Sequence, residues 1–506
     1  MAPGKKGEIR RNRVTTLMQG PIEGNRGRRW LAALLPPALA GLLAVLLLAT
    51  LWTVSLADLP GAETPIFTRS LEDGLPDIAA SPGGAYLAVA WSRGRDSTTG
   101  PAGYFNLDIA SEAEGKWRMP VTVYPQSASA SNMAREARIA FDSRPAFSST
   151  LHMVWNQKTA SGFSKILYAH CNVAASANCT AAAITQPVTV RDAANVSQPD
   201  VAVDEDGLVH VVWTEGTQVR YSCSQNGGQA WGTPLLVRSG AVTVTQPSLA
   251  HASGSVHIAW AEGGAGGVFD TIGYRNGSHS SGVCPISLSP STLSFDKGDA
   301  QAAKDPKVAA AGSTVYLVWD VKGLNSIGNV ITHYLVYNRS TNGGLNWDRD
   351  GTAPEYLDIP TATATTFTQR SVFNNRTDYN YDYGTWLHPD VTLQITGSQT
   401  IAHVVWQEST VDWGRNEGTF NIFYTAGNGS SWAAPTTVTD GTPDEDIYSV
   451  MPTVAVGQNG RLHIAYMKEK YTAQQTPEDW DIYYFGLLKG PPQGGVYLPI
   501  ITKAWR

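Results

Sequence analysis

The sequence is poor in charge, in cysteine and in helical patterning. Only 16% of its 506 residues are Asp, Glu, Lys or Arg, too few for the charged outer faces that long surface helices carry. The four cysteines, Cys171, Cys179, Cys223 and Cys284, never reach the CxxC spacing of a zinc ribbon. No nucleophile elbow, phosphate-binding glycine loop or HExxH helix occurs. A basic excess is missing too, except at the start. Residues 1–30 hold eight basic and two acidic side chains, and the rest holds 29 basic against 41 acidic, a net charge of −12. An acidic body argues against nucleic acid as a partner, because phosphate binding needs a basic surface.

One long apolar run is present. Leu31 to Val54 is 24 residues without a charge, long enough to cross a bilayer as a helix, with Pro36-Pro37 set to kink its start. Arg26, Arg28 and Arg29 precede it and Asp58 follows. The positive-inside rule then leaves the N-terminus in the cytoplasm and the body outside. The expected organisation is a basic leader (1–29), a transmembrane signal anchor (30–56), a linker (57–63), a repeat domain (64–490) and a tail (491–506). The expected location is the plasma membrane, crossed once. Ser55 and Ala57 also suit signal peptidase, so secretion after cleavage near Ala57 is the alternative; the long leader and long run favour the uncleaved anchor. Four cysteines in an exported body suit two disulfides. Three pairings are open. The short loop between Cys171 and Cys179 favours that pair, which leaves Cys223 with Cys284.

What is abundant is Gly (49), Pro (29), Trp (16) and Tyr (20), the currency of turns and short strands. Seven segments repeat one pattern, among them "QPDVAVDEDGLVHVVWTEG" (198–216), "QPSLAHASGSVHIAWAEG" (246–263) and "MPTVAVGQNGRLHIAYMKEK" (451–470). Each reads as strand, polar turn, and a second strand ending in an aromatic anchor: Trp91, Trp155, Trp213, Trp260, Trp319, Trp406 and Tyr466. A third strand and often a fourth follow. Four antiparallel strands repeated in this way predict a β-propeller of four-stranded blades, seven favoured and six possible. The seventh repeat has three strands, and residues 64–70 resemble a fourth, so the chain ends are expected to interlock and close the ring.

Two segments, "SQNGGQAW" (224–231) and "STNGGLNW" (340–347), fit S-x-D-x-G-x-x-W with Asn in the Asp place. They resemble the Asp-box, or BNR, repeat of sialidase-like propellers, and "GNGSSW" (427–432) resembles a shortened copy. In that family the box is a structural turn between third and fourth strands, away from the active site. The family's enzymes bind the substrate carboxylate with three arginines, attack with a Tyr–Glu pair and use an Asp acid/base. Their F-R-I-P signature is matched here only by Arg138-Ile139 in "ARIAF", and the catalytic pattern is not recovered.

Five of the ten histidines, His152, His210, His257, His403 and His463, stand three places before an anchor. A metal ring is one reading. A position repeated once per blade should spread around the ring, so a hydrogen bond that pins each blade is expected instead. The mouth where inner strands begin is the expected ligand site, a place where loops from several blades meet. It is expected to gather Asp77, Arg93, Asp200, Glu215, Glu262, Asp305, Asp320, His388, Asp390 and Glu408. Aromatic and amide-rich loops at 366–389, 408–421 and 468–481 suit a sugar. The expected function is surface binding of a glycan, polysaccharide or protein; the alternatives are a sialidase-like glycoside hydrolase and a non-catalytic scaffold. No cofactor is expected, although the Asp-rich stretch within 378–390 leaves room for Ca²⁺ without EF-hand spacing. If residues 30–56 anchor the chain, intact protein stays in the membrane pellet after an alkaline carbonate wash. Recovery from the medium of a chain beginning at Asp58 would establish cleavage instead.

Overall fold

In the computed structural model the described residues lie between 62 and 486, with the longest gaps at 94–102, 357–386 and 471–479. The leader, the apolar run and the C-terminal tail fall outside them, as does most of the 366–389 loop. Among the described residues no helix is long and apolar enough to cross a membrane.

The described chain is all-β. The first sheet holds Asp73–Ala80, Tyr86–Arg93 and Tyr104–Ser111, with two short strands on the last. The second holds Met133–Phe141, Thr150–Thr159, Gly162–Asn172 and Val188–Asp192, and the third Val196–Val203, Val209–Glu215, Gln218–Ser224 and Leu235–Arg238. The fourth is Val244–Ala252, Ser255–Gly263 and Phe269–Ser278 with two short partners; the fifth is Ala302–Ala311, Thr314–Leu324, Ile331–Ser340 and Glu355–Tyr356. A last, eight-stranded sheet divides into two groups of four. One is Asp390–Thr396, Gln399–Asp412, Glu417–Gly427 and Thr436–Thr437, here the sixth unit. The other is Ile447–Val456, Leu462–Lys470 and Asp481–Gly486 completed by Ala62–Phe67, the seventh. A single parallel bridge, Phe420 to Tyr448, joins the groups. Four-stranded antiparallel sheets in series are consistent with a β-propeller. The strand at residues 62–67 pairs antiparallel with Asp481–Gly486, bringing the two ends of the body into one sheet.

Each apolar cluster lies between successive units. Ala88, Phe105 and Leu107 of the first pack with Trp155 of the second; Val154, Ile166 and Tyr168 pack with Trp213 of the third. The same relation holds for Trp260, Trp319 and Trp406, and Trp91 of the first packs with Ile482 and Tyr484 of the seventh. Every anchor is at most 1% exposed. Room for an indole is made where needed: Gly273 pairs across from Trp260, and a Cβ there would strike the ring.

The repeat histidines explain themselves locally. Nδ1 of His152, His210, His257, His403 and His463 meets the hydroxyl of Tyr168, Tyr221, Tyr274, Tyr424 and Tyr484, at 2.6, 2.6, 2.8, 2.8 and 2.6 Å. Both rings lie on neighbouring strands of one sheet, so the pair satisfies two polar groups that the packing has removed from water.

The two S-x-N-G-G turns fold alike. Ser224 Oγ accepts from Gly228 N (2.9 Å) and Asn226 Oδ1 from Ala230 N (2.9 Å); Ser340 and Asn342 do the same for Gly344 and Asn346 (2.9 and 2.8 Å). Gly228 and Gly344 have φ of +87° and +79°, which favours glycine, and a Cβ at either would collide with Tyr168 or Tyr274 of the preceding unit. Trp231 and Trp347 then stand edge-on to those tyrosines at 5.2 and 4.8 Å. Both disulfides are formed, Cys171–Cys179 within one loop and Cys223–Cys284 between the third and fourth units.

His403 tests the His–Tyr pair cleanly, because its Nε2 also reaches Gln394 Oε1 at 3.2 Å. Replacing Tyr424 by Phe leaves Nδ1 buried without a partner and is expected to cost about 1–3 kcal/mol in chemical denaturation. An unchanged midpoint and slope would show that the pair contributes nothing.

Candidate functional site

Each inner strand begins with an irregularity. Leu75, Glu136, Gln198, Gln246, Asp305, His388 and Met451 all have φ between +44° and +54°, one in each unit and always two places before the residue that resumes the ladder. Non-glycine residues seldom adopt this conformation, which costs on the order of 1–3 kcal/mol. In six of the seven the next residue is Pro, which has no N–H to give the ladder and is at home at a bulge.

The bulge turns a backbone N–H out of its sheet, and the neighbouring unit accepts it. Gln198 N donates to Glu136 Oε2 (2.6 Å), Gln246 N to Gln198 Oε1 (2.8 Å) and Asp305 N to Gln246 Oε1 (3.1 Å). His388 Nδ1 stands 2.8 Å from Asp305 Oδ2, and Met451 N donates to Gln407 Oε1 at 2.7 Å. A second set lies two residues further on. Asp77 Oδ2 accepts from Ile139 N (2.7 Å), Asp200 Oδ2 from Leu249 N (2.8 Å) and Asp390 Oδ2 from Val454 N (2.8 Å). These carboxylates therefore stitch the inner strands of the first, third and sixth units to the strand that follows.

Asp77, Asp200, Arg138 and Lys307 feel one another's charge, so four units contribute to one electrostatic site. Removal from water pushes the Asp77 carboxyl up to about 6, against the pull of Arg138. Desolvation likewise raises Asp200, with Lys307 and Arg138 opposing. Asp305 moves the other way: burial alone would raise it, and His388, Lys304 and Lys307 together hold it low.

The expected site residues thus divide. Asp77, Asp200, Asp305, His388 and Asp390 lie on or beside the bulges. Glu215, Glu262 and Glu408 are committed elsewhere. Glu262 accepts from the Trp260 indole (2.6 Å) and from Arg238 Nε and Nη2 (2.7 and 2.9 Å), while Glu215 takes the same from Arg191 (2.9 and 2.7 Å). Glu408 accepts from the Trp406 indole at 3.3 Å. The reason is strand geometry: residues two apart point to one face, so a Glu two places after the anchor follows it between the sheets. Asp320 is buried and accepts the backbone N–H of Leu387; Arg93, two places after Trp91, shares the anchor's parity. Sequence reasoning missed Glu136, Gln198 and Gln246; a polar residue before Pro at the head of most repeats was the available signal for the two glutamines, and Glu136, before Ala137, lacks it.

A second gathering of polar groups was also missed. Asp204, His210, His251 and His279 converge at the other end of the inner strands of the third and fourth units, every donor atom within 4.8 Å of the rest. His210 is the one repeat histidine involved. The repeat histidines do not meet one another; His251 and His279 stand outside the repeated position.

No family model matches the chain, and no curated protein does. Among solved structures, Trypanosoma rangeli sialidase in complex with sialic acid is 8% identical with a TM-score of 0.44, over 85% of this chain and 59% of that one. The GH93 α-L-arabinofuranosidase of Fusarium graminearum with arabinobiose is 10% identical at 0.43, over 84% and 96%. NanB sialidase from Streptococcus pneumoniae is 11% identical at 0.42, over 84% and 70%. The chain spans about three-fifths of the length of the trypanosomal protein. These likenesses are faint, and the fold assignment rests on the sheets themselves.

Asp77 makes the bulge ring testable by pH. Its folded carboxyl titrates near 6 rather than 3.8, so the folded state binds the extra proton and loses stability as pH rises through that window. Asp77→Asn keeps the acceptor for Ile139 N without the charge. Its stability relative to wild type should improve from pH 4 to pH 7 by on the order of 1–2 kcal/mol, the full shift being discounted for partial exposure. A difference that stays flat with pH would contradict the assignment.

Proposed function

We propose that the body is a seven-bladed propeller, displayed outside the membrane by residues 30–56, whose bulge-lined mouth binds a polyhydroxylated ligand of the glycan class. Seven blades are supported by the seven bulges and by the succession of packed inner strands, in which the seventh unit meets the first. The ligand class rests on one observation: two acids and two bases, Asp77, Asp200, Arg138 and Lys307, share one site with bulge-side amides. Such a mouth offers donors and acceptors together, as sugar hydroxyls require, and has no uniform positive charge for a polyanion. The outward-facing surface would place a cell-surface glycan or a glycosylated protein within reach.

Glycoside hydrolysis is the second reading. It is favoured by the divergence of the carboxyls, with Asp77 held up and Asp305 held down. Splitting acid and base roles between two carboxyls is how such hydrolysis proceeds near neutral pH. Glycan-array binding combined with turnover of fluorogenic sialoside and arabinofuranoside substrates separates the readings. Under the binding reading, Arg138→Ala weakens glycan affinity at least about tenfold, the loss of a charged hydrogen bond, and no substrate turns over. Under the hydrolytic reading Asp77→Asn abolishes turnover while binding persists. A folded protein that neither binds nor cleaves any glycan overturns both.

A further inference from the structure

The second cluster has no part in that mouth. Asp204 directly follows the inner strand Val196–Val203, six residues beyond Gln198 and about 20 Å along the strand. Asp204 and His210 come from the third unit. His251 is the last residue but one of the fourth unit's inner strand, and His279 follows that unit's third strand. Side-chain exposure is 0% for Asp204 and His210, 3% for His251 and 1% for His279.

The donor atoms are Nε2 of each imidazole and Oδ2 of Asp204. Oδ2 lies 2.9 Å from His279, 3.2 Å from His210 and 3.9 Å from His251, and the Nε2 atoms of His251 and His279 are 3.3 Å apart. Tetrahedral zinc with bonds of about 2.0–2.1 Å sets its donors about 3.3 Å apart. Two of the three other ring nitrogens are engaged as metal-bound histidines require, while His279 Nδ1 is buried with no hydrogen-bond partner among the described residues. His210 Nδ1 is 2.6 Å from the Tyr221 hydroxyl, and His251 Nδ1 is 3.0 Å from Glu205 Oε2. With Nδ1–H donating to those oxygens, Nε2 turns a lone pair inward. Asp204 Oδ1 is held by the N–H groups of Asp206 (2.9 Å) and Leu208 (2.7 Å), which leaves Oδ2 for the centre.

The second unit supplies the contrast. Its Asp142 and His152 occupy the same places, with Oδ2 and Nε2 3.5 Å apart. There the carboxylate is closed by a cation two residues on: Arg144 Nε and Nη2 bind Asp142 at 2.9 and 2.6 Å. The third unit has Asp206 in place of that arginine and two further imidazoles from its neighbour. His279 stands, by strand register, where the third unit has Asn226, so it is no product of the repeat.

We propose that Asp204, His210, His251 and His279 form a structural site for a zinc-class divalent ion, which clasps the third unit to the fourth beside the Cys223–Cys284 disulfide. Four protein donors leave no open position, as in structural rather than catalytic zinc sites. Three imidazoles and a single carboxylate suit zinc over calcium or magnesium, which take oxygen donors.

The test uses the full-length chain, purified without a histidine tag and dialysed against metal-free buffer. Elemental analysis is expected to find about one zinc per chain. A chelator should lower the melting temperature and zinc should restore it. Cobalt replacing zinc should give the intense visible absorption of a four-coordinate ion. His251→Ala and His279→Ala should each lose the metal. Glu205→Ala removes the exposed partner of His251 and an exposed acceptor of Gly254 N, and should stay folded while weakening zinc affinity at least about tenfold. Wild-type protein without bound metal, or with a weak six-coordinate cobalt spectrum, overturns the site. So does a full equivalent of zinc in both histidine variants, or unchanged affinity in Glu205→Ala.

Discussion

A four-stranded sheet with apolar side chains on both faces cannot be stable alone, and everything else in this protein follows from how its faces are covered. Each unit is too small to enclose a core of its own. The cover comes from the neighbour, through an anchor indole pressed onto the preceding sheet. The apolar clusters therefore lie between units. Burial of a large aromatic side chain contributes about 2–3 kcal/mol by area, so the anchors account for much of what holds successive units face to face.

Drawing sheets together also removes polar groups from water, and the polar contacts answer that cost. The His–Tyr pairs satisfy groups on adjacent strands of one sheet. The Glu beside an anchor accepts from its indole and, in the third and fourth units, from an arginine on the outer strand of the unit before. At the bulges of Gln198, Gln246, Asp305 and Met451 the inner strand gives an N–H to a side chain of the unit before. The carboxylates that looked most available for a ligand are the ones most used in this way.

Much of the architecture was legible in sequence because its signals are local and repeated. Alternation within each strand, turn residues between strands and the fixed offset of His, aromatic anchor and Glu recur often enough to be read without coordinates. The ligand site was harder. Glu215 and Glu262 are expected at the mouth because each stands near the end of a strand, yet strand parity carries them into the sheet interface beside their indoles. A left-handed bulge has no strong composition of its own: a following proline marks Gln198 and Gln246, and nothing local marks Glu136, which precedes Ala137.

The sequence by itself determined the repeated strands, the apolar anchors and the acidic charge of the body. These depend on residue type and on spacings of a few positions. Tertiary structure alone decided which polar side chains meet. Asp77 faces Ile139 across 62 residues, and His279 approaches Asp204 across 75 positions of chain. No local pattern encodes such distances. They are set when neighbouring sheets pack and bring the ends of their strands into register.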